Sequence, residues 1–137
     1  MANVLDRQIT LDGFRNAVVK LTGIIDSGDV VEAPAIALSD FLNNETNARL
    51  IGFRVDLVEW SMSNLLEIQL EWNSSDPQQI LPLSGRGRIV GTNYGGFTPD
   101  TKRPGFDGAI NIRTASYPAG TVANFTVVLE LIKLYKA

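Results

Sequence analysis

The last segment constrains the fold more than any other. In residues 124–136, "NFTVVLELIKLYK", Phe125, Val127, Leu129 and Leu131 fall on one face of an extended chain, and Val128, Ile132 and Leu134 fall on the other. Successive side chains of a strand point to opposite sides, so a strand that is apolar on both is stable only in the middle of a sheet. The upstream chain must supply its neighbours.

Those neighbours read as strands as well. From Phe14, "FRNAVVKLTGIID" sets Ala17, Val19, Leu21 and Ile25 against polar Asn16, Lys20 and Thr22. "VVEAPAIAL" is extended, and Pro34 assigns it to a sheet edge or an irregular path. "RLIGFRVDLVEW" places Ile51, Phe53, Val55 and Leu57 on one face and Arg54 and Asp56 on the other. In "LLEIQLEW", Leu66, Ile68, Leu70 and Trp72 alternate with Glu67, Gln69 and Glu71. Read locally, these last two segments form an antiparallel hairpin with one solvated face. A short "QQILPL" follows, and Ile110 and Ile112 mark a further strand before a turn at Pro118 to Gly120. The best helical turn is "SDFLNNETN", with Ser39 or Asp40 as its cap. Seven or eight strands without a long amphipathic helix predict an all-β chain. The expected architecture is an antiparallel β-sandwich or jelly roll, one domain over residues 1–137, with residues 1–10 as an N-terminal arm.

Composition bounds the chemistry. The 137 residues contain no cysteine and no histidine, which removes thiolate nucleophiles, cysteine-ligated metals and the commonest general base. Twelve basic against fifteen acidic residues give a net charge of −3, the wrong sign for holding nucleic acid by its phosphates. "MANVLDRQIT" lacks the basic start and apolar core of a signal peptide, and no stretch approaches the roughly 20 apolar residues of a membrane span. A soluble chain made in a cytoplasm is expected, with neither nucleic acid nor membrane as partner.

Residues 84–96, "SGRGRIVGTNYGG", carry five of the twelve glycines. Gly85, Gly87 and Gly91 do not have the nucleotide-loop spacing, and neither a lysine-serine/threonine pair nor a helix follows them. Residues 84–108 therefore read as a long loop, or two short strands with a wide connection, needing glycine for positive φ angles. Glu67 and Glu71 lie roughly 13 Å apart along a strand, beyond the roughly 5–9.5 Å between glycosidase carboxylates. The aspartates of "DSGD" and "PDTKRPGFDG" lack the alternation of a calcium loop, and the three asparagine-x-serine/threonine triplets occur without a secretion signal. No catalytic residue, cofactor or metal is expected, and an enzyme is not. Arg86, Arg88, Lys102 and Arg103, interleaved with Tyr94, Phe97 and Phe106, have the composition of a protein contact surface. The same aromatics would equally serve to pin a long loop to the sandwich.

"QITLDGFRNAVVKLTGIIDSGD", the "LEIQLEW" strand, "LPLSGRGRI" followed by "GG", and the closing "VVLELIKLYK" together resemble small structural proteins of tailed-bacteriophage virions. The resemblance covers most of the chain. It implies a β-sandwich present in many copies on the virion, a decoration or cement protein clamping neighbouring subunits of the major capsid protein. Asp12, Gly13, Arg15 and Asn16 would then fix the first turn and strand. Symmetry favours trimers at threefold points. The contacts expected on this reading are the arm, Ala2 to Ile9, with Ala2, Asn3, Val4 and Leu5 foremost, and the loop bearing Arg86, Arg88, Tyr94, Phe97, Lys102 and Arg103. A tail or neck component is the rival within virions. A carbohydrate-binding module, with Trp60 or Trp72 as its sugar platform, is the rival outside them, and it requires the two tryptophans to be exposed side by side.

Overall fold

The computed structural model describes residues 4–13, 15–27, 31–41, 49–63, 66–114 and 119–136. Among them nine strands run in chain order: β1 (Val4–Asp12), β2 (Asn16–Ser27), β3 (Val31–Ile36), β4 (Arg49–Met62), β5 (Glu67–Trp72), β6 (Gln78–Ser84), β7 (Arg86–Val90), β8 (Ile110–Thr114) and β9 (Ala119–Lys136). They form a five-stranded sheet in the order β1-β2-β9-β4-β7 and a four-stranded sheet in the order β3-β8-β5-β6, with every pairing antiparallel. Apart from the edge strand β1, two sets of four strands in these orders are a jelly roll. As its two-sided apolar pattern requires, β9 lies between β2 and β4.

The inner faces meet in one core. Val19, Leu21, Phe53, Val55, Val58, Val127 and Leu129 of the larger sheet are buried with Ile68, Leu70, Trp72, Ile110 and Ile112 of the smaller. Burying each of these side chains is worth about 1.5–3 kcal/mol, which explains why period-two alternation was so legible.

Three expectations change. The segments 49–62 and 67–72 do not form a hairpin: β4 pairs with β7 and β9, whereas β5 pairs with β6 and β8. Each strand has one apolar face, and the chain brings these faces together across the core instead of pairing the strands edge to edge. The N-terminal residues from Val4 are not a free arm, because Val4–Asp12 pairs with β2 from Val4↔Ile24 to Asp12↔Ala17. The glycine-rich stretch is partly strand, since Arg86–Val90 extends the larger sheet beyond β4. These two segments raise the number of strands to nine.

A β-bulge at Thr10 reorients the end of β1. Register runs Ile9↔Val19 and then Leu11↔Val18, so the extra residue turns Leu11 outward and Asp12 inward. There the Asp12 carboxylate meets the ammonium of Lys133, whose side chain is fully buried and lies 5.9 Å from the centre of the Phe41 ring. The turn after β1 closes with the Gly13 N–H donating to Asn16 O at 2.8 Å, and the Lys133 N–H donates to Arg15 O at 2.6 Å. The first turn thus anchors the end of the central strand.

The segment 98–109 closes the same rim, where β4 begins and β9 ends. Ser75 N–H donates to Pro104 O and Asn73 N–H to Ala109 O, each at 2.9 Å. Gly108 has φ 82°, and a Cβ there would lie 2.9 Å from Leu38 Cδ1 and still nearer the carbonyl of Ile51. Gly108→Ala is therefore expected to cost about 1–3 kcal/mol, read as a lower urea midpoint. Gly85→Ala, also at positive φ but with open space around its Cβ position, should cost only about 1 kcal/mol.

Candidate interaction surface

Opposite residues in an antiparallel pair share a face, so register maps the outward side of the larger sheet. One row reads Leu11, Val18, Glu130, Leu57, Val90 across the five strands; the next reads Gln8, Lys20, Val128, Glu59, Arg88; the third reads Asp6, Thr22, Thr126, Ser61, Arg86. Val4 lies opposite Ile24, and with Val122 they leave an exposed aliphatic corner, at 49%, 38% and 51% of full exposure. The outward side of the smaller sheet is polar instead. Glu67, Gln69 and Glu71 of β5 lie there beside Asn111 and Arg113 of β8.

The expected contact residues do not form one patch. Arg86 and Arg88 stand together on the outward face of β7, both exposed, at the end of the sandwich where β4 finishes opposite Gly85. Lys102 and Arg103 lie on the segment that closes the other end, where Arg103 Nη1 donates to Asp76 O at 2.8 Å. Phe97 makes a two-way backbone bridge to Val55, 2.9 Å in each direction, and its ring packs against the core. It pins the loop. Val4 is exposed, whereas Leu5 turns inward against the core, as alternation along a strand demands. Ala2, Asn3 and the side chain of Tyr94 lie outside the described residues.

A shallow groove of about 660 Å³ runs along Arg86 and Arg88, lined also by Glu59, Trp60, Ser61, Gly87, Thr126 and Val128. Thr126 was not singled out in the sequence, whereas the two-sided pattern of β9 already gave Val128 an outward direction. Gly87 is required here by close approach: a Cβ would lie 2.6 Å from Trp60 Cζ2. The Trp60 indole N–H donates to Ser84 O at 2.8 Å, fastening the junction of β6 and β7. Trp72 is only 2% exposed and belongs to the core. The side-by-side exposed pair that a sugar platform needs is not formed. A second cavity, about 380 Å³, lies at the other rim between Leu38, Leu50, Phe106 and Asp107.

Glu71, Asp56, Asp100 and Asp107 are engaged in structural bonds. Arg113 Nη2 donates to both oxygens of Glu71, at 2.7 and 2.8 Å. Asp56 receives Arg54 Nε at 2.7 Å and Nη2 at 3.1 Å; its hydrogen bond holds the guanidinium pKa above its already high ordinary value, against a smaller opposing effect of burial. In the segment 98–109, Asp107 accepts from Ala109 N–H at 3.0 Å and Asn73 Nδ2 at 2.8 Å. Asp100 accepts from Lys102 N–H at 3.1 Å. Of the loop aspartates that resembled cation ligands in the sequence, Asp100 and Asp107 tie turns, and Asp29 and the side chain of Asp26 lie outside the described residues. No group of three or more metal-ligating side chains occurs among the described residues, and no helix among them is long and apolar enough to cross a membrane.

Comparison with protein-family models, curated proteins and solved structures found no match.

Proposed function

We propose that this chain is a non-enzymatic structural protein of a tailed-phage virion, a decoration protein that binds the lattice of the major capsid protein and reinforces the head. The reading is supported by the resemblance of its opening strand, tryptophan-ended strand, glycine-arginine turn and closing strand to such proteins. It is carried by one observation: the wide outward face of the larger sheet ends in two exposed arginines on β7, Arg86 and Arg88, without an ion pair among the described residues. Arginine combines a planar, weakly hydrated charge with stacking area, which suits it to protein contacts. A stiff double sheet holds that face without an ordering cost on binding. Copies repeated over a shell, with trimers at threefold points as the expected assembly, would add modest contacts into strong retention.

The test is sedimentation of the purified chain with empty heads built from the accompanying major capsid protein. Binding is expected, and Arg86→Ala with Arg88→Ala should weaken it about tenfold. Unchanged occupancy in the double variant would count against this face as the contact. A reconstruction that places the polypeptide on the tail or neck would overturn the head assignment.

A further inference from the structure

The four sheet edges are not equivalent. An exposed edge is a template for another strand, and proteins blunt it with bulges, proline or charge. β1 carries the bulge at Thr10. β3 contains Pro34, and its register shifts between Glu32 and Ile36. β6 contains Pro82, and its register against β5 shifts as Leu70↔Leu81 is followed by Glu71↔Gln79. β7 has neither bulge nor proline and is guarded by charge alone, that of Arg86 and Arg88: five consecutive residues pair with β4 in unbroken register from Leu57↔Val90 to Ser61↔Arg86.

The register also tells which backbone groups are free. The Met62 N–H donates to Gly85 O at 2.7 Å, continuing that register by one pair. Hydrogen-bonded pairs alternate along an antiparallel ladder, so Gly87 and Ile89 bond to β4. Arg86, Arg88 and Val90 then direct their N–H and C=O groups at the open edge. Both arginine side chains lie on the outward face, and neither has a hydrogen bond or ion pair among the described residues. Glu59 stands opposite Arg88 in the register without pairing to it.

We propose that the free edge of β7 is a strand-addition site for an extended acidic segment of a partner protein, with an acidic-aliphatic-acidic sequence. Residues of an added antiparallel strand directly opposite Arg86 and Arg88 would share their face. Carboxylates at those alternate positions would each meet one guanidinium while their own backbone amides complete the ladder. The residue between them points to the inner side beside Gly87, which has no side chain, and next to the half-buried Trp60 ring. An aliphatic group fits there. A second copy of β7 does not satisfy the site, because pairing it over its full length sets Arg88 opposite Arg88, and like charges directly opposite are destabilising. The inference goes beyond the virion reading and stands independently of it, since any protein with such a segment would qualify.

The test uses the intact chain and a short capped valine-rich peptide with two aspartates one residue apart. Binding is followed by Trp60 fluorescence and by the amide resonances of Arg86, Arg88 and Val90. Replacing both aspartates by asparagine should weaken binding about tenfold or more. Methylating the two aspartate backbone nitrogens keeps the charge but removes the ladder bonds, and should abolish binding. Arg86→Glu with Arg88→Glu should transfer the preference to the matching lysine peptide. Equal binding of the methylated peptide would mean acid capture without strand addition, and would overturn the proposal. So would an acidic preference that survives the charge reversal, or failure of the unmodified peptide to bind.

Discussion

Asp12→Ala is expected to lower the unfolding free energy by about 3–5 kcal/mol, the range for stranding one member of a buried ion pair. The Lys133 side chain has no exposure, whereas that of Asp12 is 21% exposed, so losing the carboxylate leaves the ammonium deep among apolar groups with its main counter-charge gone. Lys133→Met removes the buried charge and leaves a carboxylate that water can reach, and should cost less. The double variant should recover most of the loss of Asp12→Ala, because an apolar side chain of similar length replaces an ion that is expensive to desolvate. Urea unfolding of the three variants tests this. A double variant as unstable as Asp12→Ala would show that the bulge at Thr10 needs Asp12 for some reason other than charge.

Trp72→Ala should cost a further large amount, about 3–5 kcal/mol. Trp72 lies at the end of β5, opposite Ile110 on one side and Gln78 on the other, with its side chain in the core. β5 is tied on both edges, to β6 and β8, and cannot collapse into the space it leaves. Against a total of roughly 5–15 kcal/mol for a domain, this variant is expected to be partly unfolded at ordinary temperature, visible as a loss of cooperative thermal transition. Trp60→Ala removes a half-buried ring and one hydrogen bond to Ser84, and should cost about half as much or less. A stable, fully cooperative Trp72→Ala protein would mean that the ring does not fill the core as described.

Individual strands were legible because burial imposes a period of two. The alternation in residues 66–72, and the two apolar faces of residues 125–134, follow directly from which side of each strand meets the core. In β4, register shifts at Ile51 and Asp56 keep Phe53 and Val55 inward but turn Leu57 to the outward face, against its expected place beside them. The edge character of the segment with Pro34 was equally local, since proline cannot donate to a ladder. Pairing was not legible. β4 and β5 are adjacent in sequence and each apolar on one face, a pattern that fits a hairpin and a cross-core packing equally well. Lys133 was hidden for a related reason: it continues the face of Phe125, Val127, Leu129 and Leu131, yet its charge reads as the end of that face. Its partner lies 121 positions away and points inward only because of a bulge.

The contact surface divides along the same line. Composition drew attention to Arg86, Arg88, Lys102 and Arg103 as one basic, aromatic region, but short sequence separation across turns says nothing about which end of a sandwich a residue reaches. The fold separates the two pairs and turns Phe97 inward. By itself the sequence determined the strand class of the chain, the central place of its last segment and the acidic balance that disfavours phosphate partners, because periodicity and charge are properties of neighbouring residues. Only the tertiary structure decided which edges pair, which one is left regular and open, and that Arg86 and Arg88 stand on it, because those outcomes depend on contacts between segments far apart in the chain.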